Sequence, residues 1–211
     1  MKAIPNQSSF LRYTDGMDSL TAPPGLLSID EYLELEDGSS IKHEYVGGMV
    51  YALAGGSAHH NRIAINIVRK LADAADDTSC QVFMSDMKLV VENVAYYPDV
   101  MVVCVPPETE NPTLQRAPCL LIEVLSPSTR RTDQGEKLMV YQTIPTLRAY
   151  LIVDQDFHRV ERHYRGEDGV WHRADVFGDG SIPIPCPETE LPLASIYRGL
   201  RAPSPAKTTE S

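Results

Sequence analysis

Two carboxylates lie in strongly apolar segments of the chain. Asp99 immediately precedes the run Val-Met-Val-Val, and Glu123 is embedded in Leu-Leu-Ile-Glu-Val-Leu. An ionised carboxylate in a low-dielectric interior is costly unless it is paired, hydrogen-bonded or bound to a cation. For a single such residue, a buried ion pair or a backbone cap explains the pattern as well as function does. Two acids on adjacent central strands favour a shared cation.

A lysine follows on the next predicted helix. Asp133, Lys137 and Tyr141 are spaced by four residues and therefore share one helical face. An ordinary surface ion pair between Asp133 and Lys137 is the competing interpretation. The position of Lys137 after the Glu123 strand weighs against it, because a helix that packs back on the sheet can deliver a long ammonium side chain to the carboxylates.

Two acids and a lysine suit the metal-dependent hydrolysis of a phosphodiester. That reaction needs an activated water and stabilisation of charge on phosphorus and on the leaving oxygen, which Mg²⁺ or Mn²⁺ held by carboxylate oxygens supplies. Asp99 and Glu123 are the expected ligands, and Lys137 would orient or deprotonate the water and balance the phosphate charge. We expect the three side chains to meet in one cleft.

The residue pattern also predicts the elements that position these groups. Ser28 is expected to cap a helix whose first turn carries Asp30 and Glu31. Further helices are predicted over residues 57–76, 126–142 and 193–197. Strands are predicted over residues 81–92, 96–103, 119–125 and 148–153, with hairpins over 42–53 and over 157–164 with 170–177. The order helix, three strands, helix, strand indicates an α/β fold with a mixed central sheet and added hairpins.

Length and composition indicate one domain with two tails. A chain of 211 residues can bury one sizeable core. We assign the domain to residues 27–200. Residues 1–26, rich in Ser, Thr, Pro and Gly, are predicted to form a flexible arm, and residues 201–211 a polar, flexible tail.

The net charge and the cysteines limit the expected binding partners and cellular compartment of the protein. The net charge of −10 argues against a broad phosphate-binding surface, although a local cationic strip remains compatible with it. No segment resembles a signal peptide or reaches membrane-spanning length, so no membrane partner is expected. The four cysteines show no zinc spacing and no disulfide framework. These features indicate a cytoplasmic protein in a reducing compartment.

Three strings of the sequence strongly resemble one known family. They are Tyr-Pro-Asp-Val-Met-Val-Val from residue 97, Leu-Ile-Glu-Val-Leu-Ser-Pro-Ser from residue 121, and Asp-Gln-Gly-Glu-Lys-Leu from residue 133 with Tyr141. They are similar to the Uma-two family of restriction-endonuclease-like proteins, in the PD-(D/E)xK nuclease superfamily. The resemblance spans residues 28–154. It implies a restriction-endonuclease-like core and a divalent cation at Asp99 and Glu123.

The resemblance also extends the expected site. The superfamily pattern has a lysine two residues after the glutamate, but here Val124 and Leu125 follow Glu123, so the resemblance assigns that role to Lys137. Glu44 could add a metal ligand, with a structural role equally well supported. His60 is a candidate phosphate contact, although a capping or surface histidine is favoured.

Two further basic residues are candidates for contact with substrate phosphate. Lys88 is a rival to Lys137, but by strand alternation it shares a face with Asp86, so a cross-strand ion pair is the favoured interpretation. Arg130 belongs to the densest basic grouping in the chain, together with Arg131.

The function expected from these residues is that of a metal-dependent endonuclease acting on nucleic acid, with DNA favoured. The main alternative is a protein of the same fold that binds nucleic acid or another partner without cutting. A hydrolase using Ser126 or Ser128 is a weaker alternative, because serines at a helix start ordinarily cap it and no Gly-x-Ser-x-Gly motif surrounds them. The sequence leaves open whether two copies pair to cut both strands.

Overall fold

The computed structural model describes residues 25–105, 111–126 and 129–200. The helices are α1 (Ile29–Asp37), α2 (Ala58–Ala75), α3 (Arg130–Thr132), α4 (Leu138–Tyr141) and α5 (Leu193–Ile196), with a π-helical turn (Asp133–Lys137) between α3 and α4. The strands are β1 (His43–Val46), β2 (Met49–Ala52), β3 (Gln81–Met84), β4 (Lys88–Val91), β5 (Val94–Tyr96), β6 (Val100–Val103), β7 (Leu114–Gln115), β8 (Leu120–Leu125), β9 (Ala149–Asp154), β10 (Arg159–Arg165), β11 (Trp171–Phe177), β12 (Ser181–Pro185) and β13 (Glu188–Pro192). The predicted tail, and all but the last two residues of the predicted arm, lie outside the described residues.

Local sequence signals account for the first elements. The Ser28 hydroxyl accepts a hydrogen bond from the backbone N–H of Glu31, whose carboxylate accepts one from the Ser28 N–H, so the predicted cap of α1 is confirmed. The predicted hairpin of β1 and β2 is also confirmed. Gly47 and Gly48 occupy its turn with φ values of 53° and 99°, which residues other than glycine rarely adopt.

Two sheets organise the chain. The larger has the strand order β11-β10-β9-β8-β6-β3, in which β8 and β9 run parallel and the other neighbours are antiparallel. The smaller has the order β2-β1-β5-β4-β7. This mixed arrangement confirms the predicted α/β class with added hairpins, and it places the Asp99 and Glu123 segments on neighbouring strands.

The central strand β8 is buried on both faces, as its continuous apolar sequence predicts. Leu120 and Ile122 belong to the core that includes Ile63 and Ile67 of α2. Leu121 belongs to a second core together with aromatic side chains such as Tyr141. Successive residues of a strand point to opposite faces, so Glu123 lies on the same face as Leu121, toward the helix that carries Lys137.

Two predicted strands are each divided in the structure. Residues 81–92 form β3 and β4 in different sheets, because Ser85 adopts a φ of 49° that interrupts an extended strand. Residues 96–103 are divided between β5 and β6 at Pro98, which has no N–H to donate to a ladder. The chain therefore changes sheets immediately before Asp99.

The end of the domain contains a hairpin that the sequence analysis did not predict. Strands β12 and β13 pair in antiparallel fashion from Ser181 opposite Pro192 to Pro185 opposite Glu188. The prolines of β12 disfavour a strand assignment, but a two-stranded ribbon has free edges on which proline is tolerated. The predicted helices over 57–76 and 193–197 are confirmed as α2 and α5.

The cysteines differ most from expectation. The cysteine spacing predicted no disulfide framework, yet the structure joins Cys80 to Cys104 and Cys119 to Cys186. The partners are 24 and 67 residues apart and are brought together only by the sheet, so sequence spacing gave no sign of them. Among the described residues, no helix combines the length and the apolar character needed to span a membrane.

Candidate active site

A cleft of about 630 Å³ opens beside the ends of β6 and β8. Its lining includes seven acidic or basic side chains from five separate segments, namely Lys42, Glu44, His60, Asp99, Glu123, Asp133 and Lys137. The expectation that Asp99, Glu123 and Lys137 meet in one cleft therefore agrees with the structure. Glu44 and His60, named from the resemblance, are in the same cleft.

Glu123 is the most heavily bonded of these acids. Its Oε1 accepts hydrogen bonds from Lys137 Nζ and from the Tyr141 hydroxyl, each at 3.0 Å. Its Oε2 accepts one from the backbone N–H of Asp99 at 3.2 Å. The carboxylate is therefore held from both sides, and it links the strand, the helix and the Asp99 segment.

Asp99 lies at the cleft mouth and is held by a histidine. Its Oδ2 accepts a hydrogen bond from the Val124 N–H at 2.7 Å and lies 3.0 Å from His60 Nε2. The hydrogen bond to Asp99 raises the pKa of His60, against the opposing effect of burial. The structure therefore places His60 on a carboxylate inside the cleft rather than at a helix cap, which is instead made by Ser57.

Lys137 is surrounded by acids. Its Nζ lies 3.0 Å from Glu44 Oε1, 3.0 Å from Glu123 Oε1 and 3.4 Å from Asp133 Oδ1. The contacts to Glu44 Oε1 and Asp133 Oδ1 are not aligned as hydrogen bonds, so these two buried oxygens have charge neighbours but no donor. One ammonium is thus shared among three buried carboxylates.

The carboxylates are in an environment that disfavours their charge. Burial raises the pKa of Glu44, and it raises that of Glu123 well above the usual range, with Lys137 opposing both shifts. Burial likewise raises the pKa of Asp133. By contrast, Glu123, Glu44 and Asp133 together outweigh burial at Lys137 and raise its pKa well above the usual value. Three acids thus surround one ammonium, and burial disfavours their charged forms.

This donor set suits a hard cation. Carboxylate oxygens are the ligands that Mg²⁺ and Mn²⁺ prefer in proteins. Buried oxygens without donors, such as Glu44 Oε1 and Asp133 Oδ1, are the atoms that a cation or its waters would satisfy. Asp99, Glu123 and Glu44, the expected ligands, all line this cleft, and their binding of a divalent ion stays a prediction.

Asp133 and Tyr141 are site residues to which the sequence pattern assigned no role. An ordinary surface pair of Asp133 and Lys137 was the competing interpretation of their spacing, yet both residues are buried. They belong to a π-helical turn, a local widening that is frequent at functional sites. The spacing by four from Asp133 to Tyr141, directly after a strand with a buried acid, was the available signal.

Two of the predicted phosphate contacts lie outside the cleft. Lys88 is buried, with its Nζ 3.7 Å from Asp37 and over the ring of Tyr32, so it faces α1 and has no access to a substrate. Its ammonium does not pair with Asp86 as expected. Instead, Asp86 pairs with Lys42.

Arg130 is the second residue that the structure places elsewhere. Its guanidinium is bound to Asp154 at 3.1 Å. Arg130 and Asp154 are the chain neighbours of Thr129 and Gln155, which do line the cleft. The arginine therefore borders the site without entering it.

Comparison with known proteins finds one matching family. Residues 29–194 match the model of the Uma2 family, described as "Putative restriction endonuclease". Two proteins of Synechocystis sp. are similar over most of their length. "Uncharacterized protein slr1290" is 33% identical over 86% of this chain and 97% of its own. "Uncharacterized protein sll1609" is 36% identical over 77% and 94%, respectively.

A solved structure shares the fold. A crystal structure from Anabaena variabilis, titled as "a putative nuclease belonging to DUF820", superposes with a TM-score of 0.68. The match covers 81% of this chain and 97% of that one, at 18% sequence identity. At this identity the likeness concerns the fold and not the substrate.

Proposed function

This chain belongs to the Uma2 family of restriction-endonuclease-like proteins, and from that premise we propose that it is a divalent-cation-dependent endonuclease, with DNA as the favoured substrate. The observation that carries the proposal is the convergence of Glu44, Glu123 and Asp133 on the single ammonium of Lys137 in an open cleft. A purely structural ion pair needs one acid for one base. The surplus acids can bind either protons, which their raised pKa values favour, or a further cation.

The cation has a defined place in this proposal. Mg²⁺ or Mn²⁺ held by Asp99, Glu123 and Glu44 would supply an acidified water and neutralise charge at the phosphate. The chain's own residues would not draw a phosphate into the cleft, because acids outnumber bases there. Arg130, which borders the cleft, is already paired with Asp154. Binding of the nucleic acid is therefore expected to require the metal.

Lys137 would act as a donor rather than as a base. The surrounding carboxylates raise its pKa, so it stays protonated at neutral pH. A protonated lysine cannot accept a proton from water, but it can orient the attacking water or donate to a non-bridging phosphate oxygen. Tyr141 positions Glu123 through its hydroxyl, and His60 holds Asp99 in the same way.

A cleavage assay tests the proposal directly. The purified chain is incubated with labelled single- and double-stranded DNA and RNA in the presence of Mg²⁺, Mn²⁺ or EDTA. Cleavage that EDTA abolishes is expected, and a supercoiled plasmid separates nicking by one copy from double-strand cutting by a pair. Binding without cleavage in either metal would overturn the proposal and select the non-cutting module.

Glu123→Gln supplies the variant for this assay, and Glu161→Gln supplies its control. Both glutamates are buried on strands of the larger sheet, but Glu161 faces arginines outside the cleft. Loss of cleavage in the first variant alone ties the activity to the cleft. Equal loss in both would indicate damage to the fold instead.

A further inference from the structure

The four cysteines of the chain gather at one place, far from the cleft. Cys80 directly precedes β3, Cys104 follows β6, Cys119 precedes β8 and Cys186 lies in the turn between β12 and β13. On β8 the cluster is four residues from Glu123, a separation of about 13 Å along an extended strand. It therefore cannot share ligands with the cleft.

The sheet register explains the gathering. Gln81 pairs with Val103, so the preceding Cys80 and the following Cys104 are neighbours across β3 and β6. The Cys119 N–H donates to the Val102 carbonyl, which fixes Cys119 beside the end of β6. Cys186 reaches the same point from the terminal hairpin. Four separate segments thus contribute one sulfur each.

The two disulfides are in direct contact with each other. Cys104 Sγ lies 3.4 Å from Cys119 Sγ, although these atoms belong to different disulfides. The sulfurs of Cys104, Cys119 and Cys186 all lie within 4.8 Å of one another, and Cys80 is bonded to the first of them. Two cross-links that served only to fasten distant segments would have no need to meet.

We propose that these four cysteines, when reduced, form a tetrathiolate site for a soft divalent cation, with Zn²⁺ preferred. Thiolate is the ligand that zinc favours in structural sites, and a Zn–S bond of 2.3 Å places the four sulfurs about 3.8 Å apart. The 3.4 Å between Cys104 Sγ and Cys119 Sγ is close to that spacing. Rotation of side chains already facing one another would open a place for the ion.

The surroundings support a closed, structural site. Cys119 and Cys186 are buried in the apolar core that includes Val102 and Leu120. A tetrathiolate zinc centre carries two net negative charges, and Arg148 is the cation beside it. The Arg148 guanidinium donates to the carbonyl of Pro185, the residue before Cys186, at 2.9 Å. Four protein ligands would leave no open position for catalysis.

The site would fasten the terminal hairpin to the central sheet. Among the described strands, β12 and β13 pair only with each other, and Cys186 is the covalent link from their turn to the Cys119 end of β8. In a reducing environment each disulfide takes two electrons from a dithiol or from two thiols such as glutathione, giving two cysteine thiols and one oxidised reductant disulfide. Zinc binding then replaces the four thiol protons, which leave to solvent. The hairpin stays fastened in either state.

Cobalt provides the test, because Co²⁺ bound to thiolates absorbs through sulfur-to-metal charge transfer whereas Co²⁺ bound to carboxylates does not. The full chain is reduced, freed of metal, shown by thiol titration to have four free thiols, and titrated with Co²⁺. We expect one equivalent to give the thiolate band, Zn²⁺ to remove it, and Zn²⁺ to raise the melting temperature of the reduced protein. The oxidised chain should give no band.

Variants separate this site from the proposed active site. A Cys119→Ser, Cys186→Ser double change should abolish the band and weaken zinc binding by more than about 100-fold, since even outer-shell changes cost up to that much. Asp99→Asn should keep the band. If the double variant does not fold, the reduced and oxidised wild-type chains still give the answer. A reduced chain with four titratable thiols and no band would overturn the proposal, as would an undiminished band in the double variant, and neither result bears on cleavage.

Discussion

Two groups of charged residues in this molecule differ in their balance of acids and bases. In the cleft, four acids (Glu44, Asp99, Glu123 and Asp133) lie around Lys137 and His60, while the other lysine of the cleft lining, Lys42, pairs with Asp86. On the hairpin of β10 and β11, two acids (Glu161 and Asp175) face two arginines and one histidine (Arg159, Arg173 and His163). The first group has a surplus of negative charge, and the second does not.

The consequence appears in the protonation of the acids. On the hairpin, the hydrogen bond from Arg159 lowers the pKa of Asp175, so the charged form is stabilised by folding. In the cleft, burial raises the pKa of Glu123, so its charged form is destabilised. An arrangement that folding alone would not favour indicates that something else has been selected there. We infer that the balanced ion pairs of the hairpin stabilise the fold, whereas the unbalanced acids of the cleft bind a ligand.

The largest expected effect comes from removing the lysine that the cleft acids surround. Lys137→Met should lower the cleavage rate by about 100-fold or more, because a positioned proton donor contributes on that scale. Without metal at neutral pH it should also destabilise the fold by about 3–5 kcal/mol, the cost of leaving one side of a buried ion pair unpaired. Mn²⁺ should still bind, since the carboxylates remain. Single-turnover cleavage and thermal melts with EDTA and with Mn²⁺ measure these effects.

Lys88→Met is the matched control. Lys88 is as deeply buried as Lys137, but its partner is Asp37, outside the cleft. This variant should keep its turnover. If activity is instead retained in Lys137→Met and lost in Lys88→Met, the donor role belongs to Lys88. The excess of acids in the cleft would then have no catalytic explanation.

The next test compares one acid from each group. Asp99→Asn removes a charge from the surplus, so the metal-free protein should be at least as stable as wild type, while its stabilisation by Mn²⁺ weakens. Asp175→Asn removes a charge from the balanced network and should lower stability by up to about 1 kcal/mol, as is usual for partly exposed pairs. Thermal melts in EDTA and in Mn²⁺ give both signs. A large loss of melting temperature for Asp99→Asn in EDTA, with an unchanged Mn²⁺ response, would mean that Asp99 is a structural partner.

The pH dependence of the metal-free protein offers a third test. Because the pKa values of Glu44, Glu123 and Asp133 are raised, the native state binds more protons than the unfolded chain. The resulting stability is fully present below the unfolded value near 4.5 and is lost as pH rises through the raised values. Each proton that the native state binds in excess of the unfolded chain lowers the free energy of unfolding by about 1.4 kcal/mol per pH unit as the pH rises. Urea unfolding between pH 5 and about pH 8 in EDTA should show this fall, and Mn²⁺ should flatten it.

The same contrast explains what could be read from the sequence. Asp99 and Glu123 were predictable because a carboxylate in an apolar run is costly and needs a reason. Glu44 and His60 came only through the resemblance, since neither stands out in its own segment. Asp133 was missed because spacing by four also describes an ordinary surface pair, and the π-helical turn that buries it has no distinct sequence pattern.

The remaining misses have a tertiary cause. Strand alternation placed Asp86 and Lys88 on one face, but residues 85–87 form a bend and β4 begins only at Lys88, so the two side chains have different partners. The cysteines were overlooked because each one fits an apolar segment at no cost. A sequence reveals residues whose burial costs free energy, such as a carboxylate in an apolar segment. It does not reveal residues whose role depends on contacts between distant segments.

The smallest expected effect concerns the histidine of the surplus group. A Cβ added at Gly56 would lie 2.8 Å from His60 Nδ1, so Gly56→Ala must turn the imidazole away from Asp99. Gly55→Ala is the control, because a Cβ there meets nothing within 4 Å. If His60 positions Asp99, the first variant should lose a few-fold in kcat/KM with a melting temperature close to that of the second, since the side chain can move without disturbing the core. Equal activity in both variants would show that Val124, whose N–H also binds Asp99, holds the carboxylate sufficiently by itself.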